Sequence, residues 1–247
     1  MKRKIMLVVL LFLPLLLVGC GKEKEIVEEI KPVKRDLTTE EINGMMSIIN
    51  DLEYMDYYNK NIVPVKLNNQ EVLRISYEVL EGKGKVVYGE LTFSELEEVA
   101  RNYLGFSLEP ENLICDTHFV LESGQGADIL IYDVNTGIYN YNNKHLGHGA
   151  GGLESVVYNS YSSGYELDGT YTVVVKKLFS EILGDIYEES LNYYPSYSDA
   201  QNGTNKLFSS SNVDDSYFIQ YGDKLKEYTY TFKLVDNHYV LTSYTIN

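Results

Sequence analysis

The chain has 247 residues, with 36 Asp and Glu against 21 Lys and Arg and a formal net charge of −15. That balance repels phosphate backbones and anionic headgroups and argues against nucleic acid as a partner. Tyrosine is abundant at 23 residues and tryptophan is absent, so rings with a polar tip dominate the aromatic content.

Lys2, Arg3 and Lys4 precede an almost unbroken apolar run from Ile5 to Val18, which ends in Leu17-Val18-Gly19-Cys20. A basic head, an apolar stretch and a small residue, in that order, read as a secretory signal. The run is shorter than the roughly 20 apolar residues that span a bilayer. Leu17-Val18-Gly19-Cys20 resembles the lipobox of bacterial lipoproteins. The resemblance implies a signal peptide over residues 1–19 and a diacylglyceryl group on Cys20. It also implies a protein held on the extracytoplasmic face of the cell membrane. Two acyl chains suffice for this, whereas a single chain binds only marginally. Residues 20–36 then comprise the lipidated cysteine and a charged, Pro32-containing segment that reads as a flexible tether. With Cys20 lipidated, Cys115 is the one remaining cysteine, so no intramolecular disulfide can form. Cys115 itself reads as a small buried apolar residue.

Residues 37–247 read as a single α+β extracytoplasmic domain, with a helical part over 37–110 and a sheet part over 111–247. Three N-terminal helices are expected, packed on a mainly antiparallel β-sheet. Thr38 or Thr39 caps the first, and Ile42, Met45, Met46, Ile49 and Leu52 form its apolar face. Asn68 opens the second with Glu71 as capping-box partner, and Gly82 is placed to stop it. Thr92 and Glu95 open the third, whose stripe is Phe93, Leu96, Val99, Ala100, Tyr103 and Leu104, with Gly105 closing it.

From about Leu113 the apolar period changes to two. Leu113 to Leu121 reads as a strand. Asp128 to Val134 and Ile138 to Asn142 read as a hairpin around Asn135-Thr136-Gly137. Glu154 to Glu166 and Thr170 to Phe179 form a longer ribbon turning at Asp168-Gly169. The polar stretch from Tyr193 to Val213 reads as a long surface loop, with a short strand at Lys206–Ser209. At the C-terminus Tyr228, Tyr230, Phe232 and Leu234 alternate with polar residues, and the chain returns from Asp236-Asn237 as Tyr239 to Ile246. This last hairpin resembles that of NTF2-like domains, which also begin with helices and close with long antiparallel strands.

Chemically capable residues concentrate in Lys144 to Gly152, a glycine-rich loop holding His145 and His148. Asp116 and His118 lie two apart on the preceding strand and share a face. Convergence of His118, His145 and His148 would make a zinc site, since zinc takes imidazole and carboxylate in a tetrahedral set. That alternative is a metal-dependent cell-envelope enzyme. Pairing of Cys115 with His118 as nucleophile and base is disfavoured, because an odd offset sends the two to opposite faces of a strand. The carboxylates show no obvious buried pair and read as a solvated face. The reading favoured by the sequence is a lipid-anchored binding or interaction lipoprotein of unassigned ligand, more a binder than an enzyme. Its partners would be the membrane and an envelope protein or glycan, with Tyr194 and Tyr197 as exposed ligand contacts and no obligatory cofactor.

Overall fold

Three capping boxes start the three long helices. Thr38, Asn68 and Thr92 accept from the backbone N–H groups of Glu41, Glu71 and Glu95, whose carboxylates accept in return from the cap N–H groups. They open α1 (Thr39–Asp51), α2 (Asn69–Gly82) and α3 (Phe93–Leu104). Gly105 closes α3 in the left-handed region at φ 62°. After α1 the chain tightens into a 3₁₀ turn, Glu53–Tyr58, which Asn59 ends at φ 45°.

The computed structural model describes residues 33–85, 90–114, 128–141, 156–180 and 190–247. Val33–Asn247 forms one unit. The fold is α+β, with five α-helices and two antiparallel sheets among the described residues. The strands are β1 (Arg35–Asp36), β2 (Glu90–Thr92), β3 (Leu113–Ile114), β4 (Asp128–Asp133), β5 (Ile138–Tyr141) and β6 (Val157–Leu167). They continue with β7 (Thr170–Ser180), β8 (Leu191–Tyr194), β9 (Phe208–Ser210), β10 (Glu227–Val235) and β11 (His238–Ile246). The larger sheet runs β1-β6-β7-β10-β11, with β8 also on β7 and β9 on β8, and the smaller runs β2-β5-β4-β3.

All three expected hairpins form. Gly137 turns β4 into β5 at φ 70°, and Asp168 and Gly169 turn β6 into β7 with both φ values positive. Asp236 and Asn237 join β10 to β11, again both in the left-handed region, which a two-residue turn matched to strand twist demands.

Three expectations need correction. The tether stops short of residue 36: Arg35 and Asp36 pair with Glu166 and Tyr165 of β6. Arg35 reaches Glu41 at 2.7 Å and Glu166 at 3.0 Å, which fixes the chain to the sheet before α1 begins. The helices are not all N-terminal, since α4 (Tyr197–Asn202) and α5 (Asp215–Tyr221) lie in the C-terminal half. The stretch from Tyr193 to Val213 is therefore not one loop. Ser196 accepts from the Asp199 N–H to cap α4, and Asp199 also accepts from Thr204 and Asn205, so short polar side chains build the structure there.

β7 separates two apolar clusters. Val173, Val175 and Phe179 face the main core with Met45, Ile49, Leu52, Ile75, Leu96, Tyr230 and Phe232. Leu178 faces a smaller cluster with Tyr193, Phe218 and Leu225, where Tyr193, Phe208 and Tyr217 stack with centroids 4.9 and 4.2 Å apart. The odd positions of β7 thus carry the helical layer.

A buried lysine–aspartate pair as candidate functional site

Lys177 occupies one of those odd, core-facing positions. Its residue is fully buried at 0 % exposure, and Asp56, on the 3₁₀ turn after α1, is 2 % exposed. Lys177 Nζ donates to Asp56 Oδ2 at 2.5 Å, and Tyr244 donates its hydroxyl to Asp56 Oδ1 at 2.6 Å. Both carboxylate oxygens are therefore engaged by different donors.

Strand register explains who surrounds the ammonium. Tyr228 opposes Val175, Tyr230 opposes Val173, and Tyr244 of β11 opposes Tyr230. All three rings consequently emerge on the Lys177 face of the sheet. Nζ lies 5.1 Å from the Tyr228 ring centroid, 5.3 Å from Tyr230 and 5.8 Å from Tyr244, within cation–π reach of each. The turn bearing Asp56 is fastened to the same strand. Ile62 and Tyr244 exchange backbone hydrogen bonds at 2.8 Å, and Asn61 accepts from the Ile246 N–H at 2.9 Å.

Withdrawing an ammonium and a carboxylate from water costs several kcal/mol per ion. The direct contact, the charge-assisted bond from Tyr244 and the ring quadrupoles oppose that cost. Burial pushes the phenols of Tyr228, Tyr230 and Tyr244 upward, and the nearby Asp56 charge adds to it, so all three stay neutral. The Tyr230 hydroxyl is buried without a hydrogen-bond partner among the described residues.

Glu53 completes the cluster. On a 3₁₀ turn residues three apart eclipse one another, which places Glu53 over Asp56. Burial pushes the Glu53 carboxyl up to about 7; the Lys177 ammonium opposes this, while Asp56 and Asp51 reinforce it. Its proton is therefore exchanged nearer neutral pH than that of an ordinary carboxyl.

A second cluster lies toward the surface. Lys83 donates to the Tyr103 hydroxyl at 2.6 Å and pairs with Asp51 at 2.8 Å, while Tyr103 donates to Asp51 at 2.6 Å. It ties α1, α2 and α3 together and borders a 180 Å³ cleft lined by Glu95, Glu98 and Asn102. A further cleft of 190 Å³ lies between β6, β7 and α5, where Ser160, Tyr161, Lys176 and Asp215 meet Phe218 and the 84 % exposed Ile219.

The residues singled out from sequence fall elsewhere. Cys20, Cys115, Asp116, His118, His145 and His148 all lie outside the described residues. Tyr194 does not offer an exposed ligand contact. It is 2 % exposed because it pairs with Phe179 at the end of β7 and enters the main core. Tyr197 is half-buried on α4, its ring 6.4 Å from that of Phe179, and its hydroxyl accepts from Gln201.

Asp56 is the one buried carboxylate among the described residues, and its partner is Lys177 rather than a second carboxylate. The signal that could have found the site is phase. Lys176 and Lys177 are adjacent on a strand whose odd positions are Val173, Val175 and Phe179, so Lys177 must point inward. Comparison with protein-family models, with curated proteins and with solved structures gives no match.

Proposed function

We propose that this protein is a lipid-anchored extracytoplasmic lipoprotein that binds a partner at the cell envelope. The observation that carries this reading is the Leu17-Val18-Gly19-Cys20 lipobox behind its basic, apolar leader. The folded unit beginning at Val33 supports it, because the charged sequence from Gly21 to Pro32 lies between that unit and Cys20. The negative charge of the chain suits a domain that stands off an anionic surface. The contact surface in this reading is the cleft between β6, β7 and α5, where an exposed isoleucine and tyrosine sit beside serines and a lysine. The zinc-enzyme alternative rests on His118, His145 and His148, which lie outside the described residues.

The mass of the N-terminal peptide of the protein isolated from membranes tests the anchor. The wild-type chain should begin at Cys20 and carry the mass of a diacylglyceryl group, and Cys20→Ser should keep its leader and carry no lipid. A wild-type chain with its leader intact and no lipid mass would reject the lipoprotein reading.

A further inference from the structure

We propose that Lys177 and Asp56 condense to an intramolecular amide that covalently joins the turn after α1 to the central strand β7. The geometry is that of a reactant pair. An amine nitrogen and a carboxyl group touch at 2.5 Å, both side chains are withdrawn from water, and the carboxyl's second oxygen holds a hydroxyl donor at 2.6 Å. Reacting groups held in a near-attack geometry reach effective concentrations of about 10⁵–10⁸ M, enough to offset the unfavourable condensation of the same groups free in water. The ion pair also has more to gain here than on a surface. Two buried charges become one neutral amide, and their desolvation cost disappears.

The atoms balance without an added reagent. A proton passes from Nζ to the carboxyl, the freed amine attacks Asp56 Cγ, and the Nζ–Cγ bond forms. Negative charge developing on Oδ1 is met by the Tyr244 hydroxyl already donating to that oxygen. The Cγ–Oδ2 bond breaks, and Oδ2 leaves as water with two of the three ammonium hydrogens. The third hydrogen stays on the amide nitrogen, and the opposite charges of the pair cancel. Glu53, three residues before Asp56 on the same 3₁₀ turn and within electrostatic reach of both Asp56 and Lys177, is the carboxyl available to carry the proton. Hydrolysis of the product needs water where Lys177 is fully buried.

The bond would close the chain into a loop across a sequence separation of 121 residues. A link of this kind does not depend on redox conditions, which matters in a chain whose two cysteines cannot pair once Cys20 is lipidated.

The test is the mass of the full-length chain and its tryptic peptides after denaturation. The wild-type protein is expected to be lighter by about 18 Da, one water. A single linked species should contain both Asp56 and Lys177, with the Lys177–Leu178 bond uncut by trypsin. Asp56→Ala and Lys177→Arg should show no deficit, and Glu53→Gln should retain mostly unlinked chain. Because the readout is made on the wild-type protein, it does not depend on any variant folding. A wild-type chain of full mass, cut after Lys177, overturns the proposal. So does a deficit that persists in Asp56→Ala.

Discussion

Lys177 Nζ meets Asp56 Oδ2 at 2.5 Å across a sequence separation of 121 residues, joining the turn that ends the first helix to the middle strand of the larger sheet. Around this contact the fold places an otherwise apolar face. Val175 and Phe179 flank the lysine along β7, and Tyr228, Tyr230 and Tyr244 surround its ammonium across the sheet. A salt bridge there is an expensive way to fill a core, since well-packed apolar residues often do as well. Its presence concentrates specificity in one place: the 3₁₀ turn can dock in the register that brings Asp56 to Lys177 and Tyr244.

Two of the tyrosines around the pair should respond in opposite directions. Tyr244→Phe removes the donor to Asp56 Oδ1 and leaves a buried carboxylate oxygen unpartnered, which should cost about 1–3 kcal/mol. Tyr230→Phe removes a buried hydroxyl that has no partner among the described residues, so it should be neutral or stabilising by up to about 1 kcal/mol. Urea midpoints of the two variants check this. Equal losses would mean that the Tyr230 hydroxyl is also engaged.

Glu53 should give the protein a pH-dependent stability. Because burial raises its carboxyl from 4.5 to about 7, the folded state favours its protonated form. That contribution is fully present below about 4.5 and is lost as pH rises through 7. Glu53→Gln, which stays neutral, should therefore match wild type near pH 4 and become the more stable by about 1 kcal/mol above pH 7, allowing for solvent screening. Unfolding curves at several pH values measure the crossing. A constant difference between the two proteins would assign no such role to Glu53.

Gly164 of β6 is a packing constraint rather than a turn. A Cβ there would lie 2.6 Å from Leu37 Cδ1 and 2.7 Å from the Thr172 carbonyl oxygen, and the latter is backbone that cannot swing away. Gly164→Ala should cost about 1–3 kcal/mol and loosen β1, which pairs with β6 at neighbouring residues. Proteolysis near Arg35 would report the loosening. Unchanged stability and cleavage would show that β6 yields at this point.

Thr92→Ala should cost about 1 kcal/mol by opening the capping box of α3. A loss well below that would mean that packing of Leu96 and Leu104 alone sets the start of the helix.

Much of this architecture was legible because local chemistry dictates it. The capping pairs Thr38–Glu41, Asn68–Glu71 and Thr92–Glu95 mark helix starts within a few residues, and Asp168-Gly169 and Asp236-Asn237 mark turns needing positive φ. What escaped was held by distant partners. Arg35 and Asp36 look like tether until Glu166 arrives from far along the chain. Tyr194 looks exposed in a polar stretch until Phe179 covers it. Asp56 sits among tyrosines with no local hint of Lys177. The lysine's phase on β7 was readable, but its partner required the tertiary fold.

A double-mutant cycle of unfolding free energies measures the coupling between Asp56 and Lys177. Asp56→Leu or Lys177→Met alone strands a buried charge and should cost about 3–5 kcal/mol. The double variant, with no charge left to strand, should be more stable than either single one. Losses that simply add would show that the two side chains are independent and that the pair does not hold the turn to β7.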